Sequence, residues 1–286
     1  MTKTTAMISY RLLNAADLRS LYECFLAAFS DYQVDMRMSP EEFAQRIARD
    51  GVQLEISAGA FDDDRLIAFY MNGRGLWQGQ QTVYDAGTGV IPTYRGKGIA
   101  KELFAFMIPR LKESAVSQYL LEVLISNQPA RTLYRKLGFV DTRKLTVLRA
   151  KAPLKAVGYL SGVSIRPVEQ ADWRLFESFW DGYPSWQNSI DAVERIANQR
   201  TILGAYLNGS CVGYGVVFRP SGNLMQLAVA PAHRRKRIGS GILQALSAGD
   251  SLKINNIDEE LEDTLAFYKA NGFTVVLEQY EMKKEI

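Results

Sequence analysis

The chain has 286 residues, of which 47% are hydrophobic and 23% charged, with a formal net charge of +3. That is length enough for two ordinary domains of globular composition, and too little charge for a dedicated nucleic-acid binder. Cys24 and Cys211 are the only cysteines and give neither a disulfide framework nor metal-type spacing. No apolar run reaches the roughly 18 residues of a membrane span, and the polar residues 1–5 do not read as a signal peptide. The expectation is a cytoplasmic protein with no metal, membrane or nucleic-acid partner. His233 is the sole histidine, so a general base elsewhere must be a carboxylate, a tyrosine, or a water held by such groups.

In chain order, a strand near residue 9 runs into a helix predicted over 17–29, with apolar positions at helical spacing and Asp17 near its N-cap. Asp62, Asp63 and Asp64 mark a turn between strands. Residues 83–91 read as a strand interrupted in character by Gly87 and Gly89. The helix after it carries Ile99, Leu103, Phe106, Met107 and Leu111 on one face. Residues 119–125 form an apolar strand containing Glu122, and 128–137 a short helix stopped by Gly138. The least regular stretches are 29–38 and 74–81; in the first, Asp31 and Asp35 beside Tyr32 hint at a cationic acceptor, which solvated loop charges explain equally well.

The second half repeats the first. SYRLLNAADL from Ser9 is echoed by SIRPVEQADW from Ser164, and Gly59-Ala60-Phe61 by Gly204-Ala205-Tyr206. Val90-Ile91-Pro92 with Arg95 returns as Val229-Ala230-Pro231 with Arg234. Leu133-Tyr134 with Gly138-Phe139 returns as Phe267-Tyr268 with Gly272-Phe273. The order is kept and only the loops shorten, so the chain is a duplication. Residues 1–150 are the first domain, 151–162 a linker rich in Pro and small residues, and 163–286 the second domain. Strands are predicted over 196–206 and 211–218, flanking the Asn208-Gly209 hairpin turn. Strands alternating with helices behind a front hairpin indicate an α/β domain with a mixed, mostly antiparallel sheet.

The segment from Val90 to Ala100 joins a strand end to an amphipathic helix. Pro92 closes the strand, Gly96 and Gly98 leave backbone N–H groups unshielded, and a helix start at Ile99 adds unpaired donors. Together they make an anion site suited to a pyrophosphate, with Arg95 and Lys97 adding charge at the rim. A glycine-rich surface loop with two solvated cations is the competing reading. The dinucleotide fingerprint and the P-loop do not fit.

With these residues the sequence resembles the GNAT acetyltransferase superfamily. Arg95, Gly98 and Ala100, after Val90 and Pro92, match its [QR]-x-x-G-x-[GA] signature; Asn127, Ala130, Tyr134, Gly138 and Phe139 match its second signature. The resemblance implies two tandem GNAT-like domains and an acetyl-CoA-dependent N-acetyltransferase, with an amine-bearing small molecule or peptide as acceptor. It places the coenzyme A pyrophosphate on the loop from Arg95 to Ala100. Val90 and Ile91 then offer backbone groups to the pantetheine arm and the thioester carbonyl. Asn127 fixes the strand end or contacts the arm, and Tyr134 protonates the departing thiolate. Glu122, within the apolar run LLEVLI, and Asp85 are the candidate bases; each has a competing reading as a structural carboxylate. A non-catalytic acyl-CoA-binding or sensory protein, and an acyltransferase for a longer acyl group, are the alternative functions. In the second copy Arg237 stands where the first has Gly98, and Leu261 and Thr264 replace the second signature's Asn and Ala. That copy therefore reads as degenerate.

Overall fold

A computed structural model describes residues 8–150, 154, 158 and 161–286; most of the 151–162 stretch read as a linker lies outside the described residues. In chain order the first copy consists of β1 (Ser9–Leu12), α1 (Leu18–Ala28), α2 (Pro40–Asp50), β2 (Ala58–Asp62), β3 (Arg65–Trp77), β4 (Gln80–Val90), α3 (Ile99–Glu113), β5 (Gln118–Leu124), α4 (Gln128–Lys136) and β6 (Val140–Ala150). The second consists of β7 (Val163–Pro167), α5 (Trp173–Glu177), α6 (Ile190–Arg195), β8 (Arg200–Leu207), β9 (Ser210–Phe218), β10 (Asn223–Val229), α7 (Ile238–Ser247), β11 (Lys253–Asp258), α8 (Glu262–Ala270) and β12 (Phe273–Glu285).

The described residues form two compact units that are not sequential. The first runs to Val123 and resumes over Asn127–Thr142 and Glu281–Ile286; the second holds Leu124–Ser126 and Arg143–Tyr280. Within the first unit, the Thr142 hydroxyl donates to the Glu281 carbonyl at 3.1 Å and Ile286 N to Ser117 O at 3.0 Å. Within the second, Lys144 bridges Glu259 and Glu278 at 2.8 and 2.9 Å. Strands β1 to β4 pair antiparallel in order, β5 joins β4 in parallel, and β7 to β11 repeat this pattern. The pairing within each set of strands is mixed and mostly antiparallel.

Helix α2 is absent from the predicted elements, yet its signals are local. Ser39 and Glu42 form a capping box, Pro40 starts the first turn, and Gly51 ends the helix at φ +70°. The 74–81 stretch, expected to be irregular, is the end of a long hairpin. β3 and β4 pair as far as Trp77 and Gln80 around a turn with Gln78 and Gly79 at positive φ. β4 is continuous through its glycines. A Cβ at Gly89 would stand 2.6 Å from the Phe69 ring and 2.9 Å from the Ala28 Cβ, so the glycine lets α1 and β3 close against the strand. On α3 the buried face includes Phe104, with the predicted Phe106 only half-buried, because Phe104 stacks on Tyr119 and packs on Phe139. β8 starts at Arg200, after a tight turn over Ala197–Gln199, four residues later than expected.

Candidate functional site

The parallel ladder between β4 and β5 covers only Thr82, Val83 and Tyr84 against Gln118, Tyr119 and Leu120. Beyond Tyr84 the strands part, and the predicted residues gather around that slot. Asp85 is the first residue past the last pair. Its carboxylate accepts from Gly87 N at 2.9 Å and the Thr88 hydroxyl at 2.5 Å, and the Tyr134 hydroxyl donates to it at 3.4 Å. Both Asp85 and Tyr134 are buried. Burial pushes the Asp85 carboxyl up to about 6, against the hydrogen bonds from Thr88, Gly87 and Tyr134 and the nearby Arg46 charge. Burial, then the Asp85 charge, holds the Tyr134 phenol well above its ordinary value, so it stays a proton donor at neutral pH.

Glu122 belongs to a different network. Alternation from the Tyr84–Leu120 pair turns Glu122 to the same face as Tyr84 and away from Asp85. The Tyr84 hydroxyl donates to Glu122 Oε2 at 2.7 Å. This face carries α2: Arg46 donates to the Ala86 carbonyl at 2.7 Å, and Arg49 pairs with the fully buried Asp50 at 2.7 Å. The Arg49 guanidinium also feels the Tyr84 and Glu122 side chains. The two candidate bases therefore open to opposite sides of the slot.

The loop after β4 has the backbone that an anion cradle requires. Gly96 sits at φ +76° and Gly98, the N-cap of α3, at φ +81°. A Cβ at Gly96 would meet nothing within 4 Å, and one at Gly98 only the Glu102 carboxylate at 3.9 Å. Glycine is needed here for conformation, and the space in front of the α3 N-terminus is open. A diphosphate fits such a cradle. Ile99 is buried beneath the loop, the Ala100 carbonyl accepts the Tyr70 hydroxyl at 3.3 Å, and Lys97 lies 4.9 Å over the Tyr94 ring.

Arg95 departs from the expected rim charge. Its guanidinium donates to Val90 O at 3.1 Å and Ala28 O at 2.7 Å, and pairs with Asp31 at 2.7 Å. It is a strut tying the loop to the end of α1, and Asp31 is its partner. Asp35 is likewise paired, with Arg37 at 2.6 Å, so neither aspartate stands as an open cation site. Ile91 N–H is engaged with Ile67 O at 2.9 Å. By alternation the Val90 N–H turns the other way, toward the slot. Asn127 caps α4 by accepting from Ala130 N at 3.2 Å, and its side chain also bonds the Tyr32 hydroxyl. Tyr32 brings the 29–38 loop close to Tyr134. Thr88 and Arg46 are not among the residues the sequence points to, and Tyr32 is marked there only as a neighbour of Asp31 and Asp35; Thr88, three residues from Asp85 on a parting strand, carries a local signal. Among the described residues no cluster of His, Cys, Asp and Glu forms a metal site, and no helix is long and apolar enough to cross a membrane.

The second copy keeps the scaffold and changes the chemistry. Arg234 donates to Val229 O at 3.0 Å and Phe179 O at 2.9 Å and pairs with Asp181 at 2.7 Å, repeating the Arg95 strut. Arg235 and Arg237 both adopt φ +61°, the left-handed backbone of Gly96 and Gly98. A bulge at Met71/Asn72, opposite Asp85, recurs between Leu224 and Gln226. That match puts buried Leu224 where Asp85 stands. Counting back from the α4 and α8 caps puts Asn256 in the place of Glu122. Neither carboxylate survives.

The acetyltransferase (GNAT) family matches residues 18–139, and a GNAT acetyltransferase domain matches residues 198–275. The chain belongs to the GNAT acetyltransferase family, as a tandem member. A [ribosomal protein bS18]-alanine N-acetyltransferase of Haemophilus influenzae is 47% identical over 70 residues, 22% of this chain and 47% of that protein. The N-alpha-acetyltransferase MAK3 of Arabidopsis thaliana is 42% identical over 62 residues, 22% of this chain and 33% of that one. The chain thus spans less than half the length of either relative. Among solved structures, the tandem GNAT protein from the clavulanic acid biosynthesis pathway superposes with a TM-score of 0.75 at 15% identity, covering 98% of both chains. A GCN5-related N-acetyltransferase from Sphaerobacter thermophilus gives 0.74 at 17% identity, covering 97% of this chain and 95% of that one. These two likenesses establish the fold.

Proposed function

We propose that the first copy transfers the acetyl group of acetyl-CoA to a primary amine, with a peptide N-terminal α-amine as its acceptor. The observation that carries this reading is the pair of networks on the two faces of the slot: Tyr134 with Asp85 on one, Glu122 with Tyr84 on the other. Displacement at a thioester carbonyl needs a base where the amine arrives and an acid where the thiolate departs. Acetyl-CoA, when bound, supplies the activated acyl group. Gly96, Gly98 and the first turn of α3 hold its diphosphate, and the Val90 N–H holds the arm in the slot. Glu122 takes the proton from the ammonium of the acceptor, directly or through a water. The Tyr134 Oη gives its proton to the departing sulfur. Asp85, protonated over part of the range around its raised value, returns one to the phenolate.

The choice of acceptor rests on the relatives, whose names describe N-alpha- and alanine N-acetyltransferases. The test incubates the full chain with acetyl-CoA and a panel of peptides with free α-amines, spermidine, free lysine and an aminoglycoside, read by mass spectrometry. Acetylated peptide N-termini, lost in Glu122→Gln and Tyr134→Phe, are expected. Acetylation of a small amine alone would overturn the acceptor, and no transfer to any amine would overturn the activity.

A further inference from the structure

Strand β4 carries one residue more than β3 where the slot opens. Met71 pairs with Gly87 and Asn72 with Asp85, which leaves Ala86 out of the ladder. Such a bulge frees the backbone of the extra residue, and α2 meets it: Arg46 donates through Nη2 to the Ala86 carbonyl at 2.7 Å. Counting on from the Tyr84–Leu120 pair, Ala86 stands across the parted slot from Glu122. Burial raises the Asp85 carboxyl and the Tyr84 and Tyr32 phenols, and in all three the Arg46 charge pulls the other way. Tyr84 also feels the Glu122 charge and donates to its carboxylate. The guanidinium therefore lies at the mouth of the slot, among β4, Tyr84 and the 29–38 loop, in one cluster with the proposed base.

The hydrogen-bonding capacity of Arg46 is only partly used. Nη2 is committed to Ala86, and Nε, sealed from solvent, faces Asp50 at 3.9 Å. Nη1 makes no hydrogen bond among the described residues and is open to solvent, in a side chain 23% exposed. Charge is unbalanced as well. Asp50 is shared, because Arg49 holds it through two hydrogen bonds of 2.7 and 3.1 Å. On this face Arg46 and Arg49 stand against Asp50 and Glu122, and the charges cancel only while Glu122 has no guest. An ammonium arriving at Glu122 adds a positive charge, and passing its proton to Glu122 does not remove it. The loaded site therefore carries one uncompensated positive charge in a partly buried setting, where that is costly, beside the open Nη1 group.

We propose that Arg46 selects acceptors that carry a carboxylate a few bonds from the amine, the ammonium meeting Glu122 and the carboxylate meeting Arg46 Nη1. The inference rests on transfer to an amine with Glu122 as its base. A carboxylate suits the site better than a phosphate, since one open nitrogen and one unit of charge match a single anionic group. For the peptide acceptor proposed above, the group is the side chain of a first residue that is aspartate or glutamate. A free amino acid presents the same chemistry through its α-carboxylate.

The test compares kcat/KM of the full chain, under saturating acetyl-CoA, for two pairs of acceptors. The first pair is C-terminally amidated tripeptides beginning with aspartate or asparagine; the second is free alanine and alanine amide. The aspartyl peptide should exceed its asparaginyl isostere by about tenfold, the scale of one charge-assisted hydrogen bond, and through KM rather than kcat. A preference for free alanine over its amide, with no gain for the aspartyl peptide, assigns the carboxylate to a free amino acid instead. Arg46→Gln should bring the preferred pair's ratio to within about twofold of one, whatever the absolute rates, and Arg46→Lys should keep part of the preference. The proposal is overturned if neither pair differs by more than about twofold in wild type, a comparison that needs no variant to fold. It is equally overturned if Arg46→Gln lowers both members of the preferred pair by the same factor, since Arg46 then only braces the Ala86 bulge. In both cases transfer to the asparaginyl peptide leaves the proposed activity standing, whereas transfer to no amine removes both.

Discussion

Replacing Tyr134 with Phe separates catalysis from stability in the first unit. The ring packs edge-on against Phe139 with centroids 5.7 Å apart, and Phe keeps that contact. What is lost is a hydroxyl whose bond to Asp85 is long, 3.4 Å, while the Thr88 hydroxyl at 2.5 Å still satisfies the same oxygen. The stability cost is therefore at most about 1 kcal/mol, the net worth of one ordinary hydrogen bond. Loss of a positioned general acid lowers turnover by roughly 10²–10⁴, about 3–5 kcal/mol in the barrier. The kinetic effect should exceed the stability effect several-fold. Thiol release under saturating acetyl-CoA measures the first, urea denaturation the second, and calorimetry checks that coenzyme A affinity stays within about twofold of wild type. Turnover within twofold of wild type would refute the general-acid role. A turnover loss matched by an equal loss of stability would show that the hydroxyl only braces the fold.

Three further outcomes follow from the same geometry. Asp85 has its carboxyl raised to about 6, above the ordinary 3.8, so the stability present below 3.8 is lost as pH rises through 6. Asp85→Asn should therefore gain on wild type as pH rises from 4 to 7.5, by up to about 3 kcal/mol, in denaturation at the two pH values; a shrinking difference would reverse the sign of the argument. Gly98→Ala places a side chain at φ +81° with no steric neighbour closer than 3.9 Å, so its cost is backbone strain of about 1 kcal/mol. The thermal midpoint should fall by about 2–4 °C, and an unchanged midpoint would mean that the loop relaxes. Arg95→Ala removes two bonds to backbone carbonyls and one ion pair. It should destabilise by about 2 kcal/mol and weaken acetyl-CoA binding, whereas Arg234→Ala should destabilise comparably and leave that binding alone; loss of binding with no loss of stability would restore Arg95 to the phosphate rim.

The duplication, the sheet type and the cradle loop were legible because each rests on local chemistry: glycines that need positive φ, a proline closing a strand, a cap at Asn127. Helix α2 is equally legible at its start, in the capping box and proline of Ser39-Pro40-Glu41-Glu42, although its apolar positions are few. The Arg95 strut was not readable, since a signature arginine beside a phosphate loop looks the same whether it faces the ligand or the carbonyls of Val90 and Ala28. The exchange of Arg143–Ala150 and Glu281–Ile286 between units was hidden for a related reason. Both terminal strands follow a Gly-Phe pair, and which unit a strand completes depends on long-range pairing rather than on its own residues.

The most direct test of acetyl-CoA use by the first copy is calorimetric titration of acetyl-CoA into the full chain, read for stoichiometry, beside the Gly98→Glu variant. The expected result is one site per chain, abolished by the carboxylate placed before the α3 N-terminus. One site that survives Gly98→Glu would contradict the assignment of the cradle to the first copy, two sites would contradict the degenerate reading of the second, and no binding would remove acetyl-CoA from its chemistry.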